Sequence, residues 1–340
     1  MKVFLAGGNG FIGSVLTRRL HREGCQVRCL LRPGARTDRI DDIPFERCGG
    51  DVLEPDALRR GMRGCDAAVN LAFSTRWSLL NSPLQKETAV AGTRNMLLAA
   101  REAGVGRVVH VSSIAAVGAS RRPRVHDEAS AFNLAGCRPL RYARYKHRAE
   151  GLCRQAAAQG QDVVVVNPAE VYGPDDVGMV TAGNLVDLLA MRPVTVTTGG
   201  VCVAHVDDVA LGIRLALERG RSGERYILGG QNVSLREMAA LCLEHLELQR
   251  RILTVPPLAL QAVVGAARVL RLAPPLEPDL VPYASRYWFM DSGKARRELG
   301  ADFRDARAAL GSCLDWLAAT GRLPAAAAEE RTTDAAFSQN

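Results

Sequence analysis

The sequence predicts an α/β fold: a doubly wound parallel sheet with a smaller C-terminal lobe. A glycine-rich turn joins an N-terminal strand to a helix, strand-like apolar runs alternate with helical runs through the first half, and this alternation fades after Pro174. Such alternation is typical of a parallel sheet with helices on both faces. We expect a core over residues 1–173, a lobe over 174–323 with segments that return to the core, and a disordered tail over 324–340.

The glycine-rich turn spans residues 7–13, between the strand Lys2–Ala6 and a helix that begins near Phe11. Glycines permit a tight turn and a close approach of the backbone to a pyrophosphate, and the N-terminus of a helix offers free N–H groups and partial positive charge. The turn therefore predicts a dinucleotide site of the Rossmann type, the alternative being an ordinary flexible turn. The predicted contacts are Gly7, Gly10, Phe11, Ile12 and Gly13, with Gly8 as an extra glycine.

The end of the second strand indicates which cofactor is bound. The strand Gln26–Leu31 has Leu31 where an acidic residue would bond the ribose 2′-hydroxyl of NAD, and it runs directly into Arg32. An arginine can bind a 2′-phosphate, and Arg36 is a second candidate. This favours NADP(H), while NAD(H) stays open because Arg32 can equally be a solvated loop cation.

Composition and charge narrow the function further. The chain has 340 residues, 47% of them hydrophobic, and no signal peptide is expected because Lys2 is followed at once by the first strand, so we expect a cytoplasmic protein. The nine cysteines lack a paired metal-binding spacing and are expected to be reduced packing residues, with no metal site. The net charge is +8, but aromatic residues are only 5% and no basic run alternates with rings, so a nucleic-acid partner is not expected.

Several further segments are predicted from periodicity. Strands are expected at 67–71, 107–112, 162–167, 194–197 and 201–206, and helices at 85–103, 142–159, 208–218 and 235–246. The helices 85–103 and 142–159 are candidates for a homodimer interface. The apolar segment 257–274 is too short for an ordinary membrane span and carries two arginines, so we expect a core or lid helix, with peripheral membrane contact as the alternative.

A tyrosine four residues before a lysine, Tyr142 and Lys146, predicts proton transfer. A phenol with a pKa near ~10 is a poor acid at neutral pH, but a lysine one helical turn away stabilises the phenolate. Tyr142 can then protonate an oxygen that gains charge as a hydride arrives, and Lys146 can reach the ribose of the nicotinamide. Ser112 and Ser113 end a buried strand, where open sheets bind ligands, and offer a hydroxyl. Tyr145 is a competing phenol.

The arginines of residues 121–124 lie between these serines and the tyrosine. An anionic substrate or carrier could pass there. A solvated loop is the favoured interpretation of Arg121, Arg122 and Arg124.

The chain resembles the extended short-chain dehydrogenase/reductase family, the NAD-dependent epimerase/dehydratase group, over roughly residues 1–320. The matching motifs lie, in order, at residues 7–13, 50–52, 70–72, 92–95, 111–113, 142–146, 167–168, 171–174 and 205–210. The resemblance implies that Ser113, with Ser112 as its rival, orients the substrate oxygen, that Tyr142 is the acid and base, and that Lys146 is its partner.

The resemblance also implies further cofactor contacts. These are Asp51 and Val52 beside the adenine, Leu71 and Ala72 along the cofactor channel, and Asn167 and Pro168 near the nicotinamide, with Ser112 also close to the cofactor, whereas His205 lies in a motif that looks structural. Two departures stand out: Ala89 replaces an asparagine found in many relatives, which puts a water relay there in doubt, and Tyr145 replaces a small residue.

Two segments indicate the subfamily. Residues 198–204 lack the arginine that clamps a sugar-nucleotide diphosphate, and residues 114–116 lack the acidic pair of dehydratases. These segments, with 223–230, look more like dihydroflavonol 4-reductases, bacterial ketone and aldehyde reductases and the hopanoid-associated epimerase-like group. We therefore expect an NADPH-dependent reduction of a ketone or aldehyde on a small, fairly hydrophobic molecule.

Three alternatives remain at this point. One is a sugar epimerase or dehydratase with a retained cofactor, and another is an alcohol oxidation like that of 3β-hydroxysteroid dehydrogenases. The third is a non-catalytic nucleotide sensor, which is disfavoured because such proteins commonly lose the tyrosine or lysine that this chain keeps.

Overall fold

The computed structural model describes residues 1–73, 82–269, 280–325, 327–328 and 330. The strands are β1 (Lys2–Ala6), β2 (Gln26–Leu31), β3 (Glu46–Gly49), β4 (Ala67–Asn70), β5 (Arg107–Val111), β6 (Val125–His126), β7 (Val163–Pro168), β8 (Glu170–Tyr172), β9 (Val194–Thr197), β10 (Gly200–His205), β11 (Arg225–Leu228), β12 (Gln231–Ser234), β13 (Ile252–Val255) and β14 (Tyr287–Met290). The helices are α1 (Phe11–Arg22), α2 (Pro55–Met62), α3 (Pro83–Lys86), α4 (Thr93–Glu102), α5 (Arg141–Ala158), α6 (Ala182–Ala190), α7 (Val206–Arg219), α8 (Leu235–His245), α9 (Pro257–Val269), α10 (Val281–Ala284) and α11 (Ala306–Ala319).

A seven-stranded sheet in the order β11-β7-β5-β4-β1-β2-β3 organises the core, and every neighbouring pair in it is parallel. From β1 the chain builds one side of the sheet through β2 and β3 and the other through β4, β5, β7 and β11. The predicted doubly wound parallel sheet is therefore confirmed. In such a sheet the ligand crevice lies beyond the carboxyl ends of the strands where their order reverses, here β1 and β4.

Burial on both faces explains why these strands read as continuous apolar runs. In β1, Val3 and Leu5 enter one hydrophobic cluster while Phe4 and Ala6 enter the other, and all four are fully buried. Helices cover both faces of a parallel sheet, so alternate side chains of each strand pack against opposite helical layers.

The smaller lobe exchanges strands with the core. Strand β10 pairs with β12 antiparallel and with β8 and β14 in parallel, and β14 also pairs with β6. Strand β6 belongs to the first half of the chain, whereas β11, from the second half, completes the edge of the seven-stranded sheet. This exchange holds the lobe beside the carboxyl ends of the core strands. Strands β9 and β13 form a separate parallel pair.

The structure corrects some details of the predicted elements. The helix expected at 85–103 is interrupted, because residues Glu87–Gly92 form a π-helical segment between α3 and α4. Helix α9 is not a core helix, since Leu258 is 79% and Val263 is 52% exposed. The remainder of that predicted segment, at 270–274, lies outside the described residues.

The first part of the expected disordered tail is packed on the lobe. Ala327 is fully buried, and the carboxylate of Glu330 bonds the Arg250 guanidinium at 2.8 Å. Residues 331–340 lie outside the described chain.

Two further expectations concern the role of the cysteines and whether any helix could span a membrane. All nine cysteines are free thiols, and six are buried. Over the described ranges, no three His, Cys, Asp or Glu side chains come together as a metal site would require. Within the same ranges, no helix has both the length and the apolar content needed to cross a membrane.

Candidate active site

The glycine turn presents the N-terminus of α1 without any neutralising group. The N–H of Gly10 donates to the carbonyl oxygen of Gly7 at 3.0 Å, and Gly10 then caps α1 with no side-chain hydrogen bond. The first turn of α1 carries no acidic residue. Its free N–H groups and partial positive charge therefore remain available to an anion.

The turn also leaves no room for side chains. A Cβ atom on Gly13 would lie 2.0 Å from the carbonyl oxygen of Gly7, and one on Gly7, whose φ is +86°, would lie 2.9 Å from the carbonyl carbon of Leu71. This tight backbone between β1, β4 and α1 fits the pyrophosphate of a dinucleotide. Gly8 differs, because its Cβ would meet the Sγ of Cys29 at 2.7 Å, so Gly8 serves packing.

The residues expected to select the cofactor meet where β2 and β3 end. Arg32 is 72% exposed, and its Nε lies 4.0 Å from the Oδ2 of Asp51. Asp51 also accepts a hydrogen bond from the N–H of Leu53 at 2.9 Å, and Val52 is buried. Arg36 is bonded to Asp38 at its Nε, at 3.0 Å. The structure thus brings Arg32 and Asp51 together, while Arg36 already has a carboxylate partner.

Arg39 is a cation near the glycine turn that the sequence analysis missed. Its guanidinium donates to the carbonyl oxygens of Asn9 and Asp175, both at 2.9 Å. It therefore links the turn to the loop that follows β8. The sequence offered little signal for it, because one arginine in a loop has no periodic pattern.

The catalytic candidates lie along one face of α5. Lys146 is only 5% exposed, and its Nζ donates to the carbonyl oxygen of Val111 at 3.2 Å. The same Nζ lies 4.5 Å from the centre of the Phe73 ring, which in turn packs against Tyr142 with ring centroids 5.2 Å apart. Phe73 directly follows the motif at 70–72 and was not predicted, because nothing in the sequence tells an aromatic wall from a core residue.

The two serines after β5 occupy different environments. Ser113 is half-buried, and its Oγ accepts a hydrogen bond from the N–H of Ala115 at 3.2 Å at the start of the 3₁₀ turn Ile114–Ala116. Ser112 is buried, and its hydroxyl has no hydrogen-bond partner among the described residues. Of these two serines, Ser113 is the one whose side chain hydrogen-bonds the Tyr142 phenol and lowers its pKa.

Burial shifts the pKa values of the whole group. Burial raises the pKa of Tyr142, and the Ser113 hydroxyl opposes that rise. Burial lowers the pKa of Lys146 to about 8, and the carboxylate of Glu150 opposes this change. Burial, followed by the charge of Lys146, lowers the pKa of His110 to about 3, so that His110 stays neutral. The Lys146 ammonium is therefore held inside the protein and the Tyr142 phenol is half-buried, in surroundings where charges interact more strongly than in water.

A buried hydrogen-bond chain connects these residues to β11 at the edge of the core sheet. Asn167 is fully buried, and its Nδ2 donates to the carbonyl oxygen of Ser113 at 2.8 Å and to the Oε1 of Glu150 at 2.6 Å. Glu150 is 1% exposed and faces the guanidinium of Arg225 at 3.4 Å. Glu150 lies one helical turn after Lys146, which is a spacing that sequence reasoning could have used.

Some other predicted contacts lie in the same region. Leu71 and Ala72 follow β4 beside Gly7, and Ala72 donates its N–H to the Oδ1 of Asn70 at 3.2 Å. Pro168 is buried at the end of β7. The direct contacts expected of Asn167 and Pro168 with the nicotinamide stay predictions.

His205 and Ala89 lie in structural positions. The Nδ1 of His205 accepts the N–H of Asp207 at 3.1 Å and so caps α7. Ala89 is buried in the π-helical segment, and its carbonyl oxygen accepts the Thr93 hydroxyl at 2.7 Å. Tyr145 is half-buried on α5.

The depressed pKa of Lys146 predicts a pH-dependent gain in stability on substitution. The pKa of Lys146 is about 8 in the folded protein and 10.5 in the unfolded chain. Below pH 8 the buried ammonium therefore lowers the free energy of unfolding by its full amount. This loss of stability disappears as the pH rises from 8 to 10.5, because the lysine then becomes neutral. Lys146→Met should therefore raise the free energy of unfolding at pH 7 by on the order of 1–3 kcal/mol. Urea unfolding between pH 7 and 10.5 measures this difference, which should shrink with rising pH.

The exposed Lys86→Met is the matched control, and its free energy of unfolding at pH 7 should stay within about 0.5 kcal/mol of the wild type. A Lys146→Met protein that is less stable at pH 7, by an amount independent of pH, would contradict the assignment of a strained buried ammonium.

Comparisons with known proteins agree with this geometry. The model of the NAD dependent epimerase/dehydratase family matches residues 3–229. A protein of Synechocystis sp. named "Putative dihydroflavonol 4-reductase" is 34% identical over 327 residues, which are 92% of this chain and 93% of that protein. The 4-hydroxy-2-methyl-3-oxo-4-farnesyl-3,4-dihydroquinoline-1-oxide ketoreductase of Stigmatella aurantiaca is 30% identical, over 88% of this chain and 91% of its own.

Among solved structures, the crystal structure of gox2253 superposes with a TM-score of 0.83 at 29% identity, covering 95% of this chain and 99% of that one. A match over most of the chain, together with the glycine turn and the Tyr142–Lys146 pair, shows the family. The chain belongs to the NAD dependent epimerase/dehydratase family of extended short-chain dehydrogenases/reductases, and it is an oxidoreductase that uses a nicotinamide cofactor.

Proposed function

We propose that the protein reduces a ketone or aldehyde on a small, fairly hydrophobic metabolite to an alcohol, with NADPH as the reductant. The observation that carries this proposal is the arrangement in which the Tyr142 phenol lies beside Ser113 and shares the Phe73 ring with Lys146. The reductase names of the two similar proteins support this direction of reaction.

Each residue has a distinct task in the proposed reaction. The Ser113 hydroxyl donates a hydrogen bond to the carbonyl oxygen of the substrate and fixes its position. The Tyr142 phenol donates its proton to the same oxygen as negative charge develops there. The Lys146 ammonium stabilises the phenolate that is left, because opposite charges attract strongly inside the protein. The bound nicotinamide supplies the hydride.

The protonation states that this task requires agree with the pKa shifts. Burial raises the pKa of Tyr142, so its phenol is protonated and ready to donate at neutral pH. The pKa of Lys146 is about 8, so the ammonium is mostly charged at pH 7. The carbonyl oxygen of the substrate thus faces the protonated phenol of Tyr142, and the Lys146 ammonium lies next to that phenol.

The surroundings of the serine support a fairly hydrophobic substrate. Ile114, Ala115 and Ala116, which follow Ser113, are all buried and apolar. No acidic side chain is available in this 3₁₀ turn to abstract a proton from carbon, as a dehydratase requires. The farnesyl group in the name of the Stigmatella relative's substrate is of the same apolar character.

A sugar epimerase or dehydratase with a retained cofactor is the second candidate, favoured by the description of the matching family model. Oxidation of an alcohol, as in a 3β-hydroxysteroid dehydrogenase, would use the same residues with Tyr142 as the base. A non-catalytic sensor role is disfavoured by the burial of a strained Lys146 ammonium, which a binding protein would not need.

We also propose that the protein works as a homodimer in the cytoplasm, with α3, α4 and α5 at the interface. Leu84 of α3 is 47% exposed and Leu98 of α4 is 49% exposed, although both helices pack on α5. Large apolar side chains that stay exposed on neighbouring helices favour a helical interface.

Tyr142→Phe removes the proton donor while keeping the ring that packs on Phe73. Turnover of a ketone should fall by about 10²–10⁴-fold, and the affinity for NADPH should stay within about twofold. Steady-state kinetics and fluorescence titration measure the two quantities. Tyr145→Phe on the same helix is the matched control and should keep its turnover. Equal turnover of Tyr142→Phe and wild type would exclude the proposed acid.

Arg32→Ala tests the cofactor preference. If the guanidinium binds the 2′-phosphate, its loss should weaken NADPH about tenfold and leave NADH nearly unchanged, because a charge-assisted hydrogen bond contributes about 1.5–3 kcal/mol. Titration of one protein with both nucleotides provides the internal control. Equal weakening of NADPH and NADH, or of neither, would mean that Arg32 does not read the phosphate.

Leu98→Glu tests the dimer. A charge at a buried apolar contact is costly, so the variant should shift from dimer toward monomer in light scattering. Leu258→Glu, at a position 79% exposed on α9, is the matched control and should keep the wild-type mass. A wild-type protein that is already monomeric would rule the interface out.

A further inference from the structure

Helix α9 presents apolar side chains to solvent rather than to the protein. Leu258 is 79% exposed and Val263 is 52% exposed, whereas Val264 is buried. Three alanines of the same helix are exposed as well: Ala259, Ala262 and Ala266. The exposed residues are mostly three or four positions apart, so they share one side of the helix. An ordinary surface helix has the opposite arrangement, with its polar side facing the water.

The strand before α9 extends this apolar side. Leu253 of β13 is 48% exposed and lies five residues before Leu258. Seven large apolar side chains are exposed in the described chain, and Leu253, Leu258 and Val263 are three of them. A concentration of exposed apolar side chains marks an interaction site. We call it the α9 surface, and its members are Leu253, Leu258, Ala259, Ala262, Val263 and Ala266.

The charges in and beside the α9 surface are positive. From residue 248 to residue 276 the sequence has four arginines and no Asp or Glu. Arg251, two positions before Leu253, is exposed. Arg236 is also exposed, and its guanidinium donates to the carbonyl oxygen of Ile252 at 2.8 Å, at the start of β13. Arg250 differs, because Glu330 binds it at 2.8 Å. The complementary partner is therefore apolar with a negative border.

We propose that the α9 surface binds the surface of a membrane that contains anionic lipids. The apolar side of a helix can enter the boundary between headgroups and acyl chains to a depth of about 5–10 Å, while cations beside it attract negative headgroups. Helix α9 has 13 residues, which is too short to cross a bilayer, so the helix lies along the membrane.

A second copy of the chain fits the α9 surface less well. In a two-fold dimer the same patch meets itself, so the arginines at the border of one copy would approach those of the other. Like charges brought together at an interface weaken binding. An anionic lipid surface has the opposite charge and is apolar beneath it, so it matches both properties of this surface.

The α9 surface also lies close to the catalytic helix. Helix α9 packs against α10. Helix α10 contains Tyr283, whose hydroxyl accepts hydrogen bonds from the backbone N–H groups of Tyr142 and Ala143 at the start of α5. A protein held in this way keeps its active site near the lipids in which hydrophobic metabolites dissolve. The inference goes beyond the proposed function, because membrane binding requires no turnover.

The test is flotation of the full-length protein with vesicles of phosphatidylcholine alone or of phosphatidylcholine and phosphatidylglycerol in a two-to-one molar ratio. The wild-type protein should float with the anionic vesicles, and less of it should float as salt is raised, because salt screens the arginines. Leu258→Gln/Val263→Gln should lower the partition coefficient at least about tenfold, because less apolar area leaves water. Arg251→Gln should lower it about fivefold, on the anionic vesicles only.

Two matched controls lie outside the α9 surface. Val125 on β6 is 52% exposed, as Val263 is, so Val125→Gln should keep the partition coefficient within about twofold while Val263→Gln lowers it about fivefold. Arg22, at the end of α1, is exposed like Arg251, and Arg22→Gln removes the same charge. It should also leave the partition coefficient within about twofold. Thermal unfolding checks that each variant is folded.

Each of four outcomes would overturn the proposal. These are no flotation of the wild-type protein with anionic vesicles, equal flotation with both compositions, equal loss in Val125→Gln and Val263→Gln, and a lower mass of Leu258→Gln/Val263→Gln than of the wild type in light scattering without lipid. The last outcome would assign the α9 surface to a contact between copies of the chain. Unchanged turnover in Tyr142→Phe would refute the proposed reduction and would leave membrane binding unaffected.

Discussion

The active site depends on keeping one ammonium group charged inside the protein. Lys146 is 5% exposed, and burial lowers its pKa to about 8, because a charge in a low-dielectric interior is costly. Three features of the fold reduce that cost: the carbonyl oxygen at the end of β5, the face of the Phe73 ring, and the carboxylate of Glu150 one turn along α5. Their common geometry requires the first turns of α5 to lie at the carboxyl end of β5, which the doubly wound sheet provides.

The same carboxylate connects the catalytic residues to the rest of the molecule. Through Asn167 at the end of β7 it holds the backbone of Ser113, and through Arg225 at the start of β11 it reaches the carbonyl oxygens of Glu128 and Ser130. A chain of buried bonds of this kind polarises its members and fixes one arrangement. Strand β11 comes from the second half of the chain and forms the edge of the core sheet. It thus helps to hold Ser113 in place.

Features formed by residues close together in the chain could be predicted from the sequence, whereas features formed by residues far apart could not. The glycine turn and the Tyr142–Lys146 spacing are local, and the parallel strands are long apolar runs, so the core fold followed from pattern alone. The bond from Asn167 to Ser113 joins residues 54 positions apart, and strands β6 and β8 have only two and three residues, so no periodicity marks them. The π-helical segment before α4 and the exposed face of α9 depend on tertiary packing, which local patterns do not report.

We propose that the chain is a reductase that exchanges its nicotinamide cofactor in each cycle, and the nucleotide content of the purified protein is the first quantity to measure. The protein is denatured, any released nucleotide is identified and counted, and the emptied protein is titrated with NADPH and NADH. We expect far less than one nucleotide per chain, and reversible binding that is tighter for NADPH than for NADH. Release of NAD in near-equal amount with the protein would contradict it, because a cofactor retained through the cycle belongs to an epimerase or dehydratase.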